Sequence, residues 1–309
     1  MRAVQIQQYG GTETLQLVNI DTPKINADDI LVQIKATSIN PVDWKIREGY
    51  LQEFIPYALP VTLGWDVAGV VTQVGESVSD FKIGDEVFSR PDISRNGSYA
   101  EFIAVKANEA VLKSSKLDFA QAASLPLAGI TAWQCLVDVG QIQADQRVLI
   151  HAGAGGVGHL AIQIAKAKGA TVIATASTAN QALLTELGAD QAVDYTKGPL
   201  SEQIKAVDLV IDTVGGAVQE NSWGLLKKGG LLVSVTDAPS EEVAKQHGVR
   251  SAFVFIEPSS RILGELNALV ETDELRPLIE HRFSLEQIVD AHKQSQSGRT
   301  RGKIVIEVS

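Results

Sequence analysis

The chain has 309 residues, room for two domains of about 150 residues each, with 45% apolar and 21% charged residues. That composition excludes a disordered chain, and no run of about 18 apolar residues is present to span a bilayer. A net charge of −10 argues against nucleic acid or an anionic membrane as partner, and a lone cysteine, Cys135, excludes internal disulfides and fits a reducing, cytoplasmic setting.

Residues 1–117 read as short β-runs at 3–7, 30–36, 67–74, 85–89 and 99–105, separated by Gly10-Gly11, Pro23, Gly64, Gly75, Gly84 and Asn96-Gly97. They predict an irregular β-rich domain, barrel or sandwich. From 118 to 252 strands alternate with helices. Residues 147–152 form a strand candidate that runs into a glycine-rich turn. Val157, Leu160, Ala161, Ile164 and Ala165 then fall at helical spacing, and Gly169 stands where a C-terminal cap belongs. Strands at 171–175, 192–193, 207–211 and 231–235 follow, with a helix at 181–187 ended by Gly188. Apolar β-branched runs alternating with helices mean a parallel sheet covered on both faces. In the last segment, 253–309, helices are expected at 262–270 and 285–292. A terminal strand at 303–308 is expected to pair back with the N-terminal domain, which makes the middle domain an insertion.

The turn reads Gly153-Ala-Gly155-Gly156-Val157-Gly158 and satisfies G-x-G-x-x-G between a strand and a helix, the context that gives this pattern meaning. The first glycine permits the tight turn, the second admits a pyrophosphate to the backbone, and the third lets helix and strand pack. The helix N-terminus offers N–H groups and partial positive charge. A dinucleotide site is expected here. Where an NAD site normally carries Asp or Glu, this chain reads Thr175-Ala176-Ser177-Thr178-Ala179-Asn180, with no carboxylate before Glu186. NADPH is therefore expected over NADH, with the hydroxyls of Ser177 and Thr178 available to a 2′-phosphate, although no Arg or Lys stands in that loop.

These residues resemble a known family nearly end to end. The matching segments are Asn40-Pro-Val-Asp43-Trp-Lys-Ile-Arg47-Glu-Gly49-Tyr50, Leu63-Gly64-Trp65-Asp66-Val-Ala-Gly69, Gly84-Asp85-Glu-Val-Phe88 and Gly97-Ser-Tyr99-Ala-Glu101-Phe102. They continue with Ala122-Ala-Ser124-Leu-Pro126-Leu-Ala-Gly129-Ile-Thr131-Ala-Trp133 and Arg301-Gly302-Lys303-Ile-Val-Ile. The chain resembles the zinc-independent quinone oxidoreductases, the zeta-crystallin-like branch of the medium-chain dehydrogenase/reductase superfamily. The resemblance implies a GroES-like domain, an inserted Rossmann domain and a C-terminal return, with NADPH in the cleft between them and commonly a homodimer, for which residues 253–256 are the edge candidate. It implies Asn40 and Thr131 near the nicotinamide, and Gly155, Gly156 and Val157 at the pyrophosphate, alongside Gly153 and Gly158 of the same turn. Ser177 and Tyr195 would approach the adenosine ribose phosphate. Val214, Gly215 and Val235 would flank the ribose and nicotinamide, and Phe255 and Arg261 would border the cleft. Many members carry a lysine near the position of Asn180.

No metal site is expected. In the zinc-dependent sister branch the first cysteine loop corresponds here to Ser38-Ile39-Asn40-Pro41, and the histidine position to Gly64-Trp65-Asp66; Trp65 cannot ligate, and catalytic zinc needs about three converging ligands. His151 reads as a packed or hydrogen-bonded core residue. His159 reads as a solvated residue of the first helical turn, and His247, His281 and His292 as surface residues. Hydride transfer without a Lewis acid suits acceptors that are already electrophilic, quinones or enones. Tyr50 and Asn40 are the hydrogen-bond donor candidates for the developing anion. Trp65, Phe54 and Phe255 are candidates for an apolar wall, and Tyr50 and Arg261 complete the expected substrate set. The alternatives are a zinc-type alcohol dehydrogenase and a non-catalytic NADPH-binding redox sensor, since fold does not fix function.

Overall fold

Short runs rich in Val, Ile and Ala become strands throughout the first part of the computed structural model, which describes residues 1–308. In chain order these are β1 (Arg2–Ile6), β2 (Leu15–Asn19), β3 (Asp29–Ile39), β4 (Val61–Thr62), β5 (Val67–Val74), β6 (Glu86–Ser89), β7 (Phe102–Lys106) and β8 (Ala110–Leu112). The expected run at 99–105 begins later, because Tyr99 leaves the ladder and its backbone pairs across the loop with Val4 and Leu63. Three short elements carried no alternation long enough to stand out: β2, β4 and β8.

Helix α1 (Pro41–Arg47) starts immediately after β3. Asn40 is extended, Pro41 opens the first turn, and the Asp43 carboxylate accepts the Asn40 N–H at 2.7 Å, which satisfies a donor the helix cannot. Farther on come α2 (Phe119–Ala123) and α3 (Pro126–Trp133), the latter running into a wider turn at Gln134–Asp138.

The strand–helix series then follows. It comprises β9 (Arg147–Ile150), α4 (Gly158–Ala167), β10 (Thr171–Ala176), α5 (Gln181–Glu186), β11 (Gln191–Asp194), α6 (Leu200–Gln203), β12 (Val207–Asp212), α7 (Gly216–Ser222), β13 (Leu226–Ser234), α8 (Glu241–His247) and β14 (Arg250–Phe253). The six strands form one sheet in the order β11-β10-β9-β12-β13-β14, and every neighbouring pair is parallel. This is the doubly wound arrangement, and its order reverses between β9 and β12. Its core holds Leu149, Ile173, Val210, Leu232 and Trp223. The strand expected at 253–256 lies earlier, at Arg250–Phe253.

The chain ends with α9 (Ser260–Glu271), β15 (Ile279–Ser284), α10 (Ile288–Gln296) and β16 (Lys303–Glu307). β16 pairs antiparallel with β3 and parallel with β15, so the last strand returns to the first sheet, whose order is β15-β16-β3-β5-β6-β8 with β7 also on β3. A smaller sheet, β2-β1-β4, completes the β-rich unit. Two units result. The first takes Met1–Leu127, Glu257–Glu271 and the chain from Pro277 onward, and the second takes Ala128–Ile256 and Thr272–Arg276. The first thus runs to Leu127 rather than ending at 117, because α2 packs on β3 and β5, and the second runs to Ile256 rather than 252.

Candidate active site

In the second unit the glycine-rich turn leaves the carboxyl end of β9 beside the point where strand order reverses, where open parallel sheets bind ligands. Its glycines differ in what demands them. A Cβ on Gly153 would stand 2.8 Å from Leu184 Cδ2, and one on Gly158 would stand 2.2 Å from the Ala152 carbonyl oxygen. Both are fixed by packing. A Cβ on Gly155 would meet only the Ala152 oxygen, at 3.2 Å, so that face is open. Gly155, Gly156 and Val157 are part-exposed, whereas Gly153 and Gly158 are buried. Val157 caps α4 without a side-chain acceptor; the His159 N–H is taken by the Gly155 carbonyl at 3.1 Å, while the helix N-terminus keeps its partial positive charge toward the turn.

Behind the turn lies a buried polar network. Ser222 donates to the Val218 carbonyl at 2.6 Å and so accepts from His151 Nε2, 2.9 Å away; His151 Nδ1 then faces Thr175 Oγ1 at 3.2 Å as acceptor. Burial holds the imidazole pKa down to about 4, against the nearby Asp212 charge, so the ring is neutral as this bonding requires. Asp212 ends β12 with both oxygens in use: Oδ1 accepts the N–H groups of Val214 and Gly215, each at 2.9 Å, and Oδ2 accepts Gln219 Nε2 and Ser234 Oγ, each at 3.0 Å. The loop carrying Val214 and Gly215 is thereby tied to the end of β13 and to Val235, next in the chain. Gly215 has φ +80°, and a Cβ there would stand 2.3 Å from Asp237 Oδ2.

The turn, Ser177, Tyr195, Val214, Gly215 and Val235 all follow the carboxyl ends of strands of this one sheet. The end of β10 departs from expectation. Thr178 Oγ1 donates to Asp194 Oδ2 at 2.5 Å, so that hydroxyl is taken by the end of β11, and only Ser177 keeps a lightly bonded one, 3.4 Å from Asn180 Nδ2. Tyr195 is exposed, as are Val214 and Phe255. Thr131 is buried in α3.

In the first unit Asn40 lies at the β3–α1 junction, 2% exposed. Its Nδ2 donates to Asp66 Oδ2 at 2.7 Å and its Oδ1 accepts from Lys303 Nζ at 2.5 Å. Tyr50 is 67% exposed and stands edge-on to Trp44, 6.1 Å between rings; Phe54 and Arg261 are exposed too. Trp65 is not a substrate wall. It is fully buried, stacks on Tyr57 at 6.1 Å and donates to the Arg95 carbonyl, a core position its bulk and apolar strand neighbours explain.

Two histidines also differ from expectation. His159 is buried against the turn, with Nδ1 2.9 Å from the Gly155 oxygen. His292 is buried at α10, with Nδ1 3.2 Å from Arg47 Nη1 and its ring edge-on to Tyr99; burial, reinforced by the Arg47 charge, lowers its pKa to about 3. His151 and Asp212 form an unforeseen scaffold, and Lys303, Asp66 and Ser38 complete the Asn40 cluster. Polar residues at the ends of apolar strands were the only signal for either.

Asp43 stands beside that cluster. Burial pushes its carboxyl up to about 7, although Tyr99 OH donates to it at 2.5 Å together with the Asn40 N–H.

A GroES-like β-unit interrupted in sequence by a doubly wound unit with a glycine-rich dinucleotide turn defines a reductase of the dehydrogenase class. Residues 26–115 match the family described as alcohol dehydrogenase GroES-like domain, and residues 187–306 that described as zinc-binding dehydrogenase. The NADPH-dependent alkenal/one oxidoreductase of Arabidopsis thaliana is 37% identical over 99% of this chain and 79% of its own. The quinone oxidoreductase of Coxiella burnetii is 40% identical, with TM-score 0.93 over 100% of this chain and 99% of that one. The Escherichia coli quinone oxidoreductase, solved with NADPH, is 29% identical, with TM-score 0.91 over 99% and 100%. The chain belongs to the zinc-independent quinone oxidoreductase branch of the medium-chain dehydrogenase/reductase superfamily. Although one matched family is described by zinc, no group of three or more His, Cys, Asp or Glu among the described residues is placed to hold a metal ion. Cys135 is buried, and burial raises its thiol pKa to about 12.

Proposed function

We propose that the chain is an NADPH-dependent oxidoreductase that reduces quinones or α,β-unsaturated carbonyl compounds. The observation that carries this reading is the division of labour in the glycine turn, where Gly153 and Gly158 are demanded by close packing and a Cβ on Gly155 would meet a single backbone oxygen, at 3.2 Å, and otherwise open space. A residue kept small toward open space at a strand–helix turn fits a pyrophosphate laid on the backbone. Relatives whose names give NADPH and alkenals, enones or quinones support the cofactor and the acceptor class.

The cofactor, when bound, supplies a hydride. The protein supplies position and electrostatics. Gly155, Gly156 and Val157 hold the pyrophosphate, and Ser177 and Tyr195 meet the adenosine ribose phosphate. Thr131, Val214, Gly215 and Val235 line the remainder, with Phe255 and Arg261 toward the acceptor. Asn40 and Tyr50 are the donors for the oxygen that becomes negative when hydride reaches carbon. The proton that completes the reduction comes from Tyr50 or from water.

The test is NADPH oxidation against a panel of quinones, enones, enals and saturated ketones, with and without chelator. Turnover of quinones or enones in both conditions is expected. Tight NADPH binding with no turnover of any acceptor overturns the reading in favour of a sensor, and loss of activity on chelation overturns it in favour of a zinc enzyme. We further propose a homodimer through β14, the sheet edge on which Phe253 is 45% exposed, and a cytoplasmic setting, in keeping with a single cysteine that leaves no internal disulfide. Light scattering of the parent and of Phe253→Asp checks the dimer.

A further inference from the structure

Lys303 is 3% exposed, and lysine is almost never so buried unless something pairs it. Its Nζ donates to Asn40 Oδ1 at 2.5 Å, to the Ile39 carbonyl at 3.3 Å and to Asp66 Oδ2 at 3.4 Å, so its three donors have three acceptors. Asp66, fully buried, also accepts from Ser38 Oγ and, through Oδ1, from the Leu127 N–H at 2.7 Å. A buried ion pair is a poor way to stabilise a fold, since apolar replacements of like volume often serve as well. This pair converges on one amide. The Asn40 carbonyl rests on the ammonium and its NH2 on the carboxylate, which uses one of the two Nδ2 hydrogens. A cation on an amide oxygen draws density from its nitrogen and strengthens the remaining N–H as a donor. A donor fixed before the reaction costs no reorganisation when charge develops.

We propose that Lys303 and Asp66 are positioning residues that clamp Asn40, aiming its second Nδ2 hydrogen at the carbonyl oxygen of the acceptor. This rests on the quinone or enone reading. Hydride from NADPH forms the new C–H bond at the β-carbon. The C=C electron pair moves to give an enolate, whose oxygen takes the Asn40 hydrogen bond, and Tyr50 or water supplies the proton. NADPH is oxidised and the enone reduced.

The experiment measures single-turnover oxidation of bound NADPH by an enone, together with the Kd for NADPH, in the full chain. The variants are Asn40→Ala, Lys303→Met, the charge-neutral pair Lys303→Met/Asp66→Asn, and that pair combined with Asn40→Ala. Removing one preorganised donor costs about 10²–10³ in rate, so Asn40→Ala is expected to fall in that range and the neutral pair by about 10-fold, the neutral pair keeping its NADPH Kd within about twofold of the parent. On the Asn40→Ala background the neutral pair should change the rate no further, an outcome a merely structural ion pair does not produce. The neutral pair carries the test if Lys303→Met, left with an unpaired buried carboxylate, does not fold. A slow Asn40→Ala with a neutral pair at parental rate overturns the clamp and leaves the enone reading standing. A parental rate in Asn40→Ala overturns the role of Asn40 itself. Failure of the parent to reduce any enone or quinone overturns the reading beneath both.

Discussion

An alanine at either of two glycines of the β9–α4 turn separates packing from ligand room. At Gly158 the added Cβ falls 2.2 Å from the Ala152 carbonyl oxygen, about 1 Å inside normal contact, and both partners are backbone. Nothing flexible can yield, so the cost lies at the upper end of the overpacking range, about 3 kcal/mol. At about 2–4 °C per kcal/mol, Tm falls by roughly 6–12 °C. At Gly155 the nearest atom is 3.2 Å away and no second one lies within reach; a shift of a few tenths of an ångström relieves it, and stability should stay within about 0.5 kcal/mol of the parent. Yet its methyl occupies the face proposed for the pyrophosphate. A rise of tenfold or more in the NADPH Kd is expected, equivalent to about 1.4 kcal/mol. Thermal melts and titration of NADPH fluorescence read both quantities on the same samples. Parental NADPH affinity in Gly155→Ala, with melting unchanged, refutes the assignment of that face.

Other outcomes follow from the buried titratable groups and the exposed donor. Between about pH 5 and 6.5 the unfolded chain takes up protons on His151 and His292 that the native protein, with pKa values held near 4 and 3, excludes; stability falls on acidification. Asp43 opposes this, because the native carboxyl keeps its proton up to about 7 while the unfolded one has lost it. Two histidines against one carboxyl leave a net loss that approaches about 1.4 kcal/mol per pH unit near pH 5 and shrinks toward pH 6.5, where the unfolded histidines are only about half protonated. In His151→Gln/His292→Gln the part due to these two histidines is lost, and above about pH 6, where the lowered carboxylates are ionised in both states, Asp43 and the likewise raised Glu109 should reverse the slope, which urea titrations decide. Tyr50→Phe should leave stability unchanged, since the ring is largely exposed. If its hydroxyl delivers the proton, kcat falls by about 10² or more. An unchanged kcat assigns the proton to water.

The parallel sheet was the most legible part of the chain. β9, β10 and β12 are short, largely apolar runs rich in Val, Ile and Leu, and the glycine turn sits between a strand and a helix of clear period. The return of the last strand to the first sheet was also foreseeable, since an alternating run with no crossover helix of its own needs a partner elsewhere. Elements of two or three residues, such as β4 and β8, have no period to detect. The buried histidines failed for a different reason. His292 stands among polar letters and His159 on the first turn of a helix, but helical phase turns both inward, where Arg47 and the Gly155 carbonyl meet them. Trp65 is an aromatic residue that sequence places equally well in an apolar wall or in a core, and its burial under Tyr57 assigns it to the core. The clamp on Asn40 joins positions 40, 66 and 303, a spacing along the chain that no local pattern can reveal.

That distance bears on how the protein is made. β16 lies between β15 and β3, so the larger, mixed sheet of the first unit has a gap until the final strand described here leaves the ribosome. The six parallel strands are all synthesised before that moment. During translation the nucleotide-binding half can therefore settle first, while its β-rich companion waits with the edge of β3 open and Asp66 without its cation. Nascent chains stalled just short of position 303 should be cut readily within the first hundred residues and resist protease within the parallel sheet.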